Sequence, residues 1–164
     1  LKENIKEALN GDSIHKDQVR VKVMGRLDLL PPDVVELVHS VEEAARALNA
    51  SPSDLIKSIV FLRDRQVVVA IVSGEDRVSR RLVGKTLGWH IPQIAGSEEV
   101  LKHIGYPIGG VPPFGYRASV LIDPKVLRKK IVYGGGGSPR SLVRMDPDEL
   151  LRVTGAIVAE IREE

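Results

Sequence analysis

Few residues in this sequence have the type and setting to do chemistry. Lys57 stands at the head of the run Ile56-Lys57-Ser58-Ile59-Val60-Phe61-Leu62. Period-two alternation sets Lys57, Ile59 and Phe61 on one face and Ser58, Val60 and Leu62 on the other. Both faces are mostly apolar, as in a strand covered on both sides. An ammonium there either snorkels out at the strand end or projects into a pocket where it needs a partner. The second feature is the segment Gly105–Gly115, with four glycines and three prolines in eleven residues. Its prolines restrict the chain and its glycines permit unusual dihedrals, so it can hold backbone amides at a fixed angle to a carbonyl or oxyanion. A purely structural Ω-loop is the competing reading. The third is Gly134-Gly135-Gly136-Gly137, which is either a flexible hairpin bend or a place where a ligand comes against bare backbone.

Other chemistries lack their residues. There is no cysteine, which excludes disulfides, thiolate metal sites and cysteine nucleophiles. His15, His39, His90 and His103 are scattered without metal-ligand spacing, so no metal site and no cofactor is expected. No H-E-x-x-H, G-x-S-x-G or G-x-x-x-x-G-K-[ST] occurs, and the glycine run opens no convincing helix, so a phosphate-loop reading fails its context test.

The elements that must position these residues follow from pattern. Val19, Val21 and Val23 alternate like a strand, while Val19, Val23, Leu27 and Leu30 also share a helical face, and both readings stay open. Val34–Val38 reads as a strand, and Ser40-x-x-Glu43 as a capping box opening a helix to about Leu48. The β-branched runs Ile56–Leu62 and Val67–Val72, separated by Arg63-Asp64-Arg65-Gln66, predict an antiparallel hairpin. Asp76 is placed to cap a basic helix stopping near Gly88, and Ser97 to cap another stopping at Gly105. Ser119–Ile122 reads as a strand, and Asp123-Pro124 as the start of a helical turn. Strands at Lys130–Tyr133 and Ser141–Arg144 flank the glycine run. Asp146 caps a helix to Thr154, and Ile157–Ile161 closes the chain as a strand. Hairpins interleaved with short helices predict a single α+β domain, with a mixed, largely antiparallel, barrel-like sheet flanked by those helices. Residues 1–33 form an N-terminal segment of uncertain structure packed on a domain spanning 34–164.

Composition bounds the rest. The 164 residues, 43% hydrophobic and 28% charged, suit one globular domain with a core of its own. Apolar stretches such as Val67–Val72 are far too short to cross a bilayer, and the N-terminus does not resemble a signal peptide. A cytoplasmic soluble protein with no membrane partner is the expectation. Twenty-four Lys and Arg against 22 Asp and Glu leave a charge of +2. The basic residues nevertheless cluster at Arg77, Arg80, Arg81 and Lys85, at Lys125, Arg128, Lys129 and Lys130, and at Arg140 and Arg144. These are either solvated faces or contacts for a polyanion.

Taken in order, Ser40–Leu48, Ile56–Phe61, Gly105–Gly115 and Val132–Ala156 resemble the YbaK/prolyl-tRNA-synthetase-associated editing-domain family, from about Val34 to Ile161. Lys57 falls on the family's strand lysine, and Gly109-Gly110-Val111-Pro112-Pro113 on its G-x-x-x-P loop. Many members carry Ser where this chain has Pro112, and Gly134–Gly137 is richer in glycine than the usual bend. The resemblance implies a metal-independent aminoacyl-tRNA deacylase acting in trans on a mischarged tRNA, such as Ala or Cys on tRNA-Pro. It implies that Lys57 binds the terminal adenosine phosphate or a substrate oxygen. Gly109, Gly110, Val111, Pro112 and Pro113 would hold the aminoacyl group, and Gly136, Gly137 and Ser138 would line the opposite wall. Arg77, Arg80, Arg81, Lys85, Lys129 and Lys130 would contact tRNA, with prolyl-tRNA synthetase as a further partner and the protein a monomer or homodimer. A labile aminoacyl ester needs no strong nucleophile, only an aligned water and donors on the oxyanion, which suits this residue set. The alternatives are a non-catalytic tRNA-binding or synthetase-docking module of the same fold, and an enzyme for another small activated ester.

Overall fold

A computed structural model describes the backbone of 20–23 and 26–29, and residues 45–46, 48–137 and 141–164. Among the described residues, eight strands fall into two sheets. The first has the order β2-β1-β7-β6, with β1 Arg20–Val23, β2 Arg26–Leu29, β6 Val132–Gly135 and β7 Ser141–Met145. The second has the order β3-β4-β5-β8, with β3 Ile56–Arg63, β4 Gln66–Ser73, β5 Ser119–Ile122 and β8 Ile157–Val158. The pairs β1–β2, β3–β4 and β6–β7 are antiparallel, and β1–β7, β4–β5 and β5–β8 are parallel. They are accompanied by α1 Arg80–Leu87, α2 Ser97–Ile104, α3 Pro124–Leu127 and α4 Pro147–Thr154. This is the expected α+β domain with a mixed sheet. The sheets meet where a parallel bridge joins Leu55 to Tyr133, but among the described residues β2 and β8 stay unpaired along their outer sides, so these strands close no barrel. The segment 20–23 is a strand, which settles the double reading of its valines.

Both faces of the β3–β4 hairpin are buried, which is why its runs are apolar throughout. Ile56, Val60, Val69 and Ile71 join Val120, Ile122, Val132, Val143 and Met145 in the main core, roofed by Val100, Ile104, Val126 and Leu150 from the helices. The intervening residues Phe61, Val68, Ala70 and Val72 turn the other way, onto Val83 of α1 and Ile161 near the C-terminus. A third, small cluster packs Leu55, Leu142 and Tyr133 against Ala45 and Leu48. Ala45, Arg46 and Leu48 are helical as expected, whereas the Ser40–Glu43 box and Val34–Val38 lie outside the described residues.

Element boundaries depart from expectation in four places. Ser79, not Asp76, caps α1, accepting from the Leu82 amide at 3.3 Å, because Asp76 is engaged by Lys125 at 2.9 Å. Ser97 is the first residue of α2. Gly96 precedes it, its N–H donating to Glu99 Oε2 at 2.8 Å. β6 begins two residues later than predicted and takes Gly134 and Gly135 into the sheet. β8 is only two residues long, since Ile161 and Arg162 leave it to bind Asp123. The helix stops at Gly88, Gly105 and Gly155 all adopt the left-handed conformation that terminates a helix.

Candidate functional site

The Gly/Pro segment is irregular but firmly seated. Tyr106 and Phe114 pack into the main core, as does Tyr116, so aromatic rings anchor the loop near both ends. Val111, Pro112 and Pro113 are buried, while Pro107, Ile108 and Gly109 face solvent. Gly109 has φ +84° with nothing within 4 Å of a Cβ built on it, so the loop crest is bare backbone open to an approaching group. Burial raises the phenols of Tyr106 and Tyr116, and the neighbouring Tyr106 raises Tyr116 further. Neither hydroxyl has a hydrogen-bond partner among the described residues.

The loop straddles β6. On one side the Pro113 ring lies 3.2 Å from where a Gly134 Cβ would be, and Ile56 Cγ1 stands at the same distance. On the other side a Cβ on Gly135 would overlap the Val111 carbonyl oxygen and stand 2.9 Å from its carbonyl carbon. Only glycine admits so close a backbone approach. Just beyond, the Gly137 amide donates to Gly110 O at 2.8 Å, and Gly110 donates to Pro107 O at 2.9 Å. The glycine run is therefore neither a loose bend nor a phosphate loop. It is the seat of the 109–113 segment.

Lys57 reaches this assembly through strand register. The Leu55–Tyr133 bridge is parallel, so Ile56 lies alongside Gly134, as the Ile56–Gly134 approach bears out, and the next pair is Lys57 with Gly135. By alternation Lys57 shares the face of Gly135 onto which Gly110 and Val111 are packed. It is half-buried, opposite Val72 of β4. The sequence-predicted residues Lys57, Gly109–Pro113, Gly136 and Gly137 thus converge on the junction of β3 and β6. Ser138 lies outside the described residues. What sequence reasoning missed is the anchoring pair Tyr106 and Tyr116. The signal was two aromatics bracketing a Gly/Pro loop.

The basic clusters differ in availability. Arg77, Arg81 and Lys85 are exposed and pair with no acidic group among the described residues, while Arg80 Nε donates to Pro92 O at 2.7 Å. In the second cluster, Lys125 is clamped by Glu75 at 2.7 Å and Asp76 at 2.9 Å. Lys129 is held by Ser53 at 2.6 Å with Asp54 at 3.5 Å. Lys130 is exposed. No group of three or more His, Asp or Glu that could hold a metal occurs among the described residues, and no described helix is long and apolar enough to cross a membrane.

The profile of the aminoacyl-tRNA editing domain matches residues 35–153, enclosing every part of this junction. The chain belongs to that family. Uncharacterized protein YwhH of Bacillus subtilis (strain 168) is 32% identical over 124 residues, covering 72% of this chain and 78% of YwhH. The proline–tRNA ligase of Geotalea daltonii is 34% identical over 84 residues. That stretch is 51% of this chain but only 15% of the ligase, so the editing-domain chain corresponds to a small part of that enzyme. Among solved structures, one whose proposed role is trans-editing for prolyl tRNA synthetase superposes with a TM-score of 0.77 at 30% identity. The overlap covers 99% of this chain and 97% of that one.

Proposed function

We propose that this editing-domain protein is a trans-acting aminoacyl-tRNA deacylase that hydrolyses a small amino acid, such as Ala or Cys, from tRNA-Pro in the cytoplasm. The observation that carries the reading is the backbone-on-backbone seat of Gly110 and Val111 over Gly135, beside Lys57. The likeness to a trans-editing candidate for prolyl tRNA synthetase along nearly the whole chain supports action on that tRNA.

In this reading the ester carbonyl lies against the loop crest, where the amides of Gly109 and Val111 donate to the oxygen as it gains charge. Pro112 and Pro113 have no N–H to give, and serve as rigid wall. The Lys57 ammonium holds the terminal phosphate or a substrate oxygen, fixing the ester for in-line attack. Water adds to the carbonyl carbon, the bond to the ribose oxygen breaks, and that oxygen leaves with a proton as the free hydroxyl. Selectivity is steric, because contacts with one methylene discriminate by only about 1–3 kcal/mol. A cleft walled by buried prolines excludes the larger correct residue. Arg77, Arg80, Arg81, Lys85 and Lys130 face the acceptor-stem phosphates. Lys129 contributes least, its ammonium being already bonded to Ser53 and Asp54.

The decisive experiment charges tRNA-Pro with Ala, Cys, Ser, Thr or Pro and follows ester loss with the wild-type chain and with Lys57→Ala. Wild type is expected to strip one or more small residues and spare Pro, and folded Lys57→Ala to lose activity by at least about a hundredfold, on the scale of a lost oxyanion or phosphate contact. Wild-type rates in folded Lys57→Ala defeat the assigned role. Bound tRNA with no ester loss on any charge identifies a docking module instead.

A further inference from the structure

We infer that Arg63 and Trp89 form a stacking step for an unpaired nucleotide of RNA, continuing the basic surface of α1 at the end of β3 remote from Lys57. The Arg63 guanidinium lies over the Trp89 ring, 5.5 Å from its centroid. Trp89 is half-buried and packs against the cluster that contains Phe61 and Val83, so the core braces the ring on which the exposed arginine rests. Arg63 is exposed. A guanidinium immobilised on an indole presents a flat cationic face, which is the surface that stacks a nucleobase.

The surroundings match a nucleic acid better than an apolar partner. Arg65 in the β3–β4 turn, together with Arg81 and Lys85 on α1, is exposed and pairs with no acid among the described residues. Asp64 is the single acid of that turn. Ile91 and Ile94, 60% and 52% exposed, follow Trp89 in the chain, Ile94 bridging Phe61 two residues before Arg63, and offer apolar contact to a base or sugar. Position is the second argument. Lys57 and Arg63 lie on the same face of β3, six residues apart, or about 20 Å at strand rise. That interval separates the proposed ester site from a contact on the body of the same RNA. α1 lies in the chain between the Val78–Arg162 bridge and Trp89, with Gly84 letting the helix settle on the 89–92 backbone, where a Cβ would stand 2.9 Å from His90 O.

The inference rests on the tRNA reading, and one experiment separates the two. Trp89 is the sole tryptophan, so its fluorescence reports binding at this place and nowhere else. Titrating the full chain with deacylated tRNA should quench Trp89, with an affinity that falls steeply as salt rises. Arg63→Ala, which keeps the core intact, should bind tRNA roughly tenfold more weakly and raise KM for ester loss, with kcat unchanged. Wild-type tRNA affinity in Arg63→Ala, or saturation with tRNA without a change in Trp89 emission, overturns the step whatever the deacylation assay shows. Equal quenching by heparin reduces the surface to a plain polyanion patch and also overturns stacking. If Arg63→Ala leaves RNA binding intact but weakens association with prolyl-tRNA synthetase, the surface belongs to a protein partner and the inference fails. RNA-dependent quenching lost in Arg63→Ala, with no ester loss by the wild type, sinks the deacylase and keeps the step.

Discussion

At Gly135 a missing side chain positions the whole loop. The Val111 carbonyl occupies the space a methyl would fill, so Gly135→Ala must push residues 110–111 off β6. Such overpacking of backbone on backbone typically costs about 1–3 kcal/mol. We expect Gly135→Ala to lower the midpoint of chemical denaturation and to reduce ester hydrolysis more than its loss of folded protein explains. Gly155→Ala, at the end of α4 and outside the site, is the control. Its strain is conformational, from φ +59°, with open space around the new methyl, so the loop keeps its seat. Equal activity loss per unit of lost stability in the two variants would count against a positioning role for Gly135. Lys57 belongs to the same scale. Its type and place in an apolar run were readable from the sequence, but its proximity to Gly135 depends on a register between strands about 75 residues apart.

Among the elements, the C-terminal strap is held by one buried carboxylate. Asp123, 0% exposed, caps α3 through the Lys125 amide at 2.9 Å. It also accepts from the amides of Ile161 at 3.0 Å and Arg162 at 3.3 Å, and from the Arg162 guanidinium at 2.6 Å. Sequence reading identified the cap and had no way to see the strap, because its partners lie 38 and 39 residues away. Arg162 is 29% exposed and stays solvated without Asp123, but the buried Ile161 amide loses its charged acceptor, at a cost of about 1.5–3 kcal/mol. Asp123→Ala should therefore lose stability on that scale in urea denaturation. A change below about 1 kcal/mol would mean the strap is held chiefly by the Ser79–Ile161 and Arg77–Glu163 backbone bonds. The same distant claims explain the boundary shifts. Asp76 fails to cap α1 because Lys125 holds it, and β8 stops short because Asp123 draws the chain away.

For the molecule as a whole, charge and burial set the response to alkali. Burial holds the Tyr116 phenol far above its ordinary value of 10.0, and the Tyr106 phenol is also raised. Hydrogen bonds that the ammonium donates to Glu75 and then to Asp76 raise Lys125 above its ordinary 10.5. Above about pH 10 the unfolded chain releases protons that the folded chain retains, so ν_U falls below ν_N and stability declines as pH rises. Below that range these groups contribute their full stabilisation. Melting temperature should thus drop between pH 10 and 11 while changing little on their account from pH 7 to 9. Tyr116→Phe, which also removes a hydroxyl without a partner among the described residues, should flatten the drop at no loss of stability at neutral pH. An unaltered alkaline slope in that variant would show that Tyr116 is not the group responsible.

Local physics settled what the sequence could settle alone. Alternating β-branched runs make the β3–β4 hairpin, glycines with left-handed freedom end α1, α2 and α4, and the dense glycine and proline of 105–115 forbid regular structure there. Lys57 and the 109–113 segment were legible for the same reason, since each is unusual within its own neighbourhood. Only tertiary structure decided that Gly134 and Gly135 join a strand, that Lys129 is tied to Asp54 while Arg81 stays open, and that the two sheets meet at Leu55 and Tyr133 without closing. Those outcomes depend on contacts between residues far apart in the chain, whose pairing energy is collective and leaves no periodic trace in the string of amino acids.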